Sequence, residues 1–325
     1  MGKSKMYAIF KFACMMLAFS IIQACSLNVP IDNPGVSKLA YSQDSNTETI
    51  TLKLEDKLDA AHKVSHGRVT INLKHDGGKL DTAPFVFASL KKELESRRLP
   101  VNYSDDAQAV ISLEQFELLN HRVNGFSPMV TISTMKAVLK TDSGSKTIAS
   151  MVKRGKVPVW TMSEINEPCF NEPIELMIKE FAAKINQALF NYSLDDEQVN
   201  DLVEKIKLEA DNNKMSYFDV YELGFSNNPK AIEPLLAFTQ HSSEYVRLAA
   251  ISSLGILGAE QHFEDLKVIY LNGNLWQDRG MALKAIGDLG SEQAMVFLLQ
   301  EKDKWLNESG NEAKWNSLFV DLYVD

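Results

Sequence analysis

Val246-Arg247-Leu248-Ala249-Ala250-Ile251-Ser252-Ser253-Leu254-Gly255-Ile256-Leu257-Gly258 can be laid, 32 residues on, over Asp278-Arg279-Gly280-Met281-Ala282-Leu283-Lys284-Ala285-Ile286-Gly287-Asp288-Leu289-Gly290. Arg247 meets Arg279, Ala250 meets Ala282, Leu254 meets Ile286, and both pairs of glycines coincide. In each copy the apolar positions run i, i+3, i+4, i+7, i+8, i+11, the period of a helix with one buried face. Ala249, Ala250, Ala282 and Ala285 leave room for a neighbouring helix to approach closely. Gly258 and Gly290 stand where a residue tolerant of positive φ ends a helix. Each copy follows a further helical segment, 229–240 and 261–271. A helix pair repeated at this period predicts an α-solenoid.

The pattern fades in both directions. Residues 216–223 read as the end of an earlier, degenerate repeat, and 291–304 with 311–323 as a capping one. In the cap Asn311 and Lys314 replace the arginine and the alanine. A terminal repeat is expected to depart from the consensus, because its outer face meets water. The pieces Val246-Arg247-x-Ala249-Ala250 and Leu254-Gly255 resemble HEAT repeats, of the short bacterial kind also seen in phycocyanobilin lyase subunits. The resemblance implies a scaffold over residues 195–325 that binds another protein chain. Because each repeat contacts only its neighbours, this half should form a self-contained unit.

Before residue 192 the periodicity changes. Residues 49–54 and 68–73 alternate β-branched or apolar residues with polar ones, as half-buried strands do. Residues 84–98 are helical in pattern, with Phe87, Leu90 and Leu94 on one side, and Pro100 stops them. Residues 109–119 and 130–141 read as strands, and Asp142-Ser143-Gly144-Ser145 as the turn returning a third, 146–153. Residues 172–190 form an amphipathic helix whose stripe includes Ile174, Met177, Ile178, Phe181 and Ile185. The expectation is an α+β domain over 49–192: an antiparallel sheet with two helices on one face. That layout resembles YajG-type and ABC-transport auxiliary lipoproteins, through the helix 87–98, the strands 109–119 and 130–141, and the closing helix 172–190.

The N-terminus carries its own signal. Lys3, Lys5 and Lys11 precede a short apolar run, 12–22, and the small Ala24 precedes Cys25. A basic segment, an apolar segment and a small residue at the cut describe an exported chain, with 1–24 as signal peptide. Ile22-Gln23-Ala24-Cys25 resembles the lipobox of bacterial lipoproteins, with Gln23 a less usual occupant. The resemblance implies acylation at Cys25, including a palmitate-type chain, and anchoring in a membrane. Ser26 follows, and by the sorting rule of that family a residue there other than Asp directs the chain to the outer membrane. The expected location is therefore the envelope, at the periplasmic face of the outer membrane. Residues 25–48, rich in Ser, Asn, Asp and Pro, read as a flexible tether.

Candidate sites are few. Arg247 and Arg279 occupy equivalent positions, and periodicity favours a structural ladder, each arginine pairing with a carboxylate of an adjacent repeat, over ligand binding. His62 and His66 are spaced i, i+4, but Gly67 and the strand after it favour a solvated loop over a metal pair. Cys169, between Pro168 and Pro173, reads as an inert, partly buried thiol. Asp76-Gly77-Gly78 is a turn, not a phosphate cradle. No Ser–His–Asp order, glycine-rich phosphate loop or paired-carboxylate motif stands out, so no catalytic, cofactor-binding or metal residue is assigned.

Charge is more informative. The chain carries a net charge of −9. From Asp195 onward there are 23 acidic and 11 basic residues, so the helical half holds a net −12 while residues 25–194 balance. Such a surface repels nucleic acid and suits a basic protein partner or divalent cations, although solubility alone would also explain it. The expected function is a lipid-anchored binding or assembly protein and not an enzyme. The alternative, drawn from the lyase and transport resemblances, is a subunit of an enzyme or transport system.

Overall fold

The computed structural model describes residues 26–43, 48–59, 64–211 and 216–324. Cys25, the signal segment before it and His62 lie outside the described residues. The first described strand, β1 (Leu27–Pro30), overturns the tether. It pairs in parallel with β4 (Ile71–His75), Leu27 beside Ile71 and Pro30 beside Lys74. Residues 27, 29 and 31 are apolar and alternate with exposed Asn28 and Pro30, so a period of two lies inside a stretch whose composition reads as loop. Val29, Ile31 and Tyr41 are buried, and the strap formed by residues 31–41 after β1 ends on the Tyr41 hydroxyl donating to the Phe225 carbonyl at 2.7 Å.

The main sheet is built from β2 (Ile50–Asp56), β3 (Ser65–Gly67), β6 (Val101–Tyr103), β7 (Ala109–His121), β8 (Met129–Thr141) and β9 (Gly144–Lys156). Its order is β6-β2-β7-β8-β9, with β3 pairing further along the edge of β7 that β2 occupies. β7, β8 and β9 are antiparallel; β8 and β9 are joined by the tight turn that Asp142-Ser143-Gly144-Ser145 predicts, and β7 and β8 by the longer loop 122–128. β2 runs parallel to both β6 and β7, and β3 parallel to β7. The sheet is therefore mixed, not antiparallel. The helix α1 (Thr82–Ser96) lies between β2 and β6 and carries the chain back to the starting end, and a helical crossover of this kind makes neighbouring strands parallel. The stretch 68–73 also belongs elsewhere: β4 joins β1 and β5 (Gly78–Lys79) in a second, three-stranded sheet. Asp76 and Gly77 make the β4–β5 turn with φ of 48° and 78°, confirming a turn.

The long helix α2 (Glu172–Leu189) packs on α1, β8 and β9 and buries nearly its whole length. After it the chain is helical: α3 (Asp196–Asp211), α4 (Tyr217–Phe225), α5 (Ile232–Phe238), α6 (Glu244–Ile256), α7 (Phe263–Asn272), α8 (Trp276–Leu289), α9 (Glu292–Asn307) and α10 (Asn311–Val320). α4, α6, α8 and α10 stack side by side as an inner layer. The others pair with them outside, α5 with α6, α7 with α8 and α9 with α10. The α+β unit followed by a helical solenoid is as the sequence predicts.

Glycine spacing explains the stacking. A Cβ on Gly255 would stand 2.5 Å from the Ala285 carbonyl oxygen, and one on Gly224 would meet the Ser253 side chain at 2.3 Å. Gly287 stands in the same relation to Tyr323. Each inner helix thus offers a bare backbone to the next. Gly258 and Gly290, both at φ 66°, end α6 and α8 as expected. The solenoid is not self-contained, however: α4, α6 and α8 pack against α2 or β9 of the first unit.

Candidate functional site: the junction of the two units

The sequence-predicted arginines do form a ladder. Arg247 Nε donates to Asp278 Oδ2 at 3.0 Å, and its Nη1 to the His241 carbonyl at 2.9 Å. Arg279 repeats the arrangement one step along: its Nε and Nη2 reach Glu312 Oε1 at 2.8 and 2.6 Å, and its Nη1 reaches the Gly273 carbonyl at 2.6 Å. Each guanidinium ties the turn before its own helix to the first turn of the next inner helix. The five-donor planar head of arginine suits this double task.

Cys169 is fully buried, its Sγ 3.5 Å from the Met129 carbonyl. Burial pushes the thiol up to about 12, so little thiolate exists near neutral pH and the group is inert. His66 lies in β3, not in a loop, its Nε2 3.1 Å from Glu117 Oε2. Among the described residues no group of three or more His, Cys, Asp or Glu is placed to hold a metal ion.

What the sequence reading missed is at the junction. On α2, Glu180 and Lys184 face Lys284 and Asp288 on α8. Lys184 Nζ lies 2.6 Å from Glu180 Oε1 and 2.6 Å from Asp288 Oδ1. Lys284 Nζ lies 2.5 Å from Glu180 Oε1 and 2.6 Å from Asp288 Oδ2. The four charges close a ring with two ammoniums and two carboxylates alternating. All four side chains are buried, those of Glu180, Lys284 and Asp288 almost completely. Ser150 of β9 donates to Glu180 at 2.6 Å, Tyr323 donates to Asp288 at 2.6 Å, and Lys284 donates to Ser252 at 2.8 Å. Burial alone would lower the Lys284 ammonium, but Asp288 and Glu180 outweigh it and hold it above the ordinary lysine value. Burial likewise raises the Asp288 carboxyl, and the two ammoniums pull it below the ordinary range. The one available signal was a pair of opposite charges four apart, 180/184 and 284/288, on helix faces otherwise apolar.

Two further contacts lie on either side. Arg97, at the end of α1, is fully buried; its Nε donates to Glu93 at 3.0 Å and its Nη1 lies 2.6 Å from Glu222 of α4. At the end of β9, the Arg154 guanidinium pairs with Glu172 and covers the Tyr217 and Tyr245 rings at 4.3 and 3.9 Å. Lys153 pairs with Glu244 and lies 5.8 Å from the Trp276 ring centre. The first-turn aromatics of α4, α6 and α8 thus meet the cations of β9. The outer edge of β9, which pairs with no further strand, is capped: its Ala149 and Gly155 carbonyls accept from Lys184 and Tyr245, which protects a strand edge from pairing with another chain.

A cleft of about 590 Å³ opens beside Glu222, between the segment 35–39, α2, α3 and α4. Its charged lining is largely paired within itself, Lys179 with Glu175 at 2.6 Å and Lys205 with Asp219 at 2.7 Å.

A family model described as HEAT repeats matches residues 207–287, from the end of α3 through most of α8. The helical half carries HEAT repeats. They span the two copies aligned above and the degenerate one before them, and the capping helices lie beyond the match. A search of curated proteins returns no match. Among solved structures the chain is similar to a crystal structure of a minor lipoprotein from Acinetobacter baumannii. The TM-score is 0.28 and the identity 13%, over 43% of this chain and 93% of that one. A likeness of this size carries no argument about fold or function. No described helix is long and apolar enough to cross a membrane.

Proposed function

We propose that the chain is a lipid-anchored envelope protein, acylated at Cys25, whose HEAT repeats hold a basic protein partner on their outer layer. The observation that carries the reading is how the solenoid's charges are spent. Arg247, Arg279 and Lys284 are already paired with carboxylates of the fold, and with 23 acidic against 11 basic residues over this half the carboxylates left over outnumber the cations. The outer helices α7 and α9 display Val268, Leu271, Val296 and Leu299, each about half exposed. Exposed acidic Glu264, Asp265 and Glu292 lie on the same helices. Apolar ground among carboxylates fits a basic, partly apolar chain, and HEAT repeats as a class bind protein. The sorting rule and the lipobox together support the periplasmic face of the outer membrane, and neither assigns a catalytic role.

The test is photo-crosslinking from position 296 in intact envelopes, with a control position on the paired inner layer. A discrete adduct at 296 that weakens with added salt supports the reading, because screening sets in over about 8 Å at physiological strength. A tightly bound small molecule in the 590 Å³ cleft, with no protein adduct, would favour the alternative of an enzyme or transport subunit.

A further inference from the structure

We infer that the two loops carrying Phe126 and Trp160 enter the interface of the bilayer that holds Cys25, and so fix how the body stands on the membrane; this rests on the anchor proposed above. Phe126 is 95% exposed and Trp160 89%, the two most exposed large apolar side chains described. Val123 and Val159 beside them are also exposed. The loops are built, not slack. Asn124 Oδ1 accepts from the Phe126 amide at 2.8 Å, and Ser127 Oγ from the Val123 and Asn124 amides at 3.0 and 2.9 Å. Glu164 accepts from the amides of Val159, Trp160 and Thr161 at 3.0, 2.6 and 2.9 Å. Arg122 Nη1 reaches Met162 Sδ at 3.2 Å and joins one loop to the other. Two rigid loops therefore hold their aromatic rings outward, where water penalises them.

The place where the chain enters the body says what covers them. Leu27 donates its amide to the Thr70 carbonyl at 2.9 Å, and Val69 donates to Asn120 Oδ1 at 2.8 Å. Asn120 and His121 close β7 and lead straight into the Phe126 loop, and Met129 pairs with Lys156, which leads into the Trp160 loop. Entry point and both loops occupy one end of the sheet. Only Ser26 separates Cys25 from the pinned Leu27. Two residues span at most about 7 Å, so an acyl chain on Cys25 leaves this end no room to stand off from the membrane. A tryptophan prefers that boundary, where its ring is buried and its N–H stays wet. Exposed Arg68 and Lys156 flank the loops and suit anionic headgroups.

The experiment uses the full acylated chain in phosphatidylethanolamine/phosphatidylglycerol vesicles with brominated acyl chains, which quench tryptophan only at the membrane. Fatty-acid labelling of the same preparation reports the anchor separately. A quenched emission component that is lost in Trp160→Phe and returns when Phe126→Trp is added to that variant is the expected result. Label on the chain with no quenching from either position overturns the inference and leaves the anchor standing; a Trp160–Trp160 crosslink between copies would then assign the tip to a second copy. No label removes the anchor. In that case quenching by vesicles added from outside keeps the tip as a membrane contact, and its absence overturns both.

Discussion

The arginine ladder and the buried ring connect elements in two different ways. Arg247 and Arg279 join repeat to repeat, are partly exposed, and recur at 32 residues because every rung solves the same problem. Glu180, Lys184, Lys284 and Asp288 join the solenoid to the α+β unit and occur once, because there is only one such junction. Lys284 even occupies the position that Ser252 holds one repeat earlier, and the two touch. A repeat sequence reports contacts within the array by repetition. It reports contacts out of the array only as exceptions to the repetition.

The ring should break most expensively. Lys284→Met leaves Glu180 and Asp288 buried with one ammonium between them. Removing one partner of a buried ion pair costs about 3–5 kcal/mol, and urea denaturation of the full chain should show a loss of that size. Replacing all four charges with apolar residues of similar volume should cost far less, since the desolvation goes with the charges. A full-strength loss in the fourfold variant would mean that the charges themselves hold the two units in register.

The same ring predicts a pH dependence. Asp288 is held below its ordinary value in the folded chain, so its contribution is complete above about 3.9, the unfolded value. It is lost as pH falls through the lower folded value. Lys284 is held above its ordinary value, so its contribution is complete below about 10.4 and is lost only as pH rises through the folded value. Stability from this source is flat across the neutral range and falls at the acid end. Lys284→Met removes a cation that depresses Asp288, and the acid unfolding midpoint should move to higher pH. An unchanged midpoint would sink the assignment.

The glycines test the array itself. Gly255→Ala places a Cβ against the Ala285 backbone, which cannot swing away as a flexible side chain could. Overpacking of this kind costs about 1–3 kcal/mol, and the melting temperature of the full chain should drop accordingly. Gly258→Ala, by contrast, meets open space, and its penalty comes from φ 66° alone.

Legibility in the sequence followed this division between repeated and singular contacts. Helices with an apolar stripe and strands with tight turns were readable, since one element's own period announces them. The ladder was readable because Arg247 and Arg279 align. β1 was hidden because Leu27, Val29 and Ile31 alternate with loop-type residues, and composition outvoted a period only five residues long. The parallel strands were hidden because β2 does not reveal in its own residues which strand it will lie beside. Arg97 and Glu222 are 125 residues apart and neither belongs to a motif, so only the folded chain brings them together.

The smallest effects should come from the rungs of the ladder, and they should be unequal. The Arg247 and Asp278 side chains are 13% and 16% exposed, whereas Arg279 and Glu312 are 24% and 34% exposed. Water competes more strongly for the outer rung, and exposed ion pairs contribute about 0–1 kcal/mol. Each arginine also ties down a carbonyl of the preceding turn, which adds a charge-assisted hydrogen bond that truncation removes. Arg247→Ala should therefore cost about 1–2 kcal/mol and Arg279→Ala about half as much, read by urea denaturation under identical salt. Added salt should widen the difference, because it screens the more exposed Arg279–Glu312 pair more than the Arg247–Asp278 pair. If the two variants lose the same stability, burial does not grade the rungs. If Arg279→Ala loses more, the capping repeat depends on its rung more than the interior does, and the end of the array is its weak point.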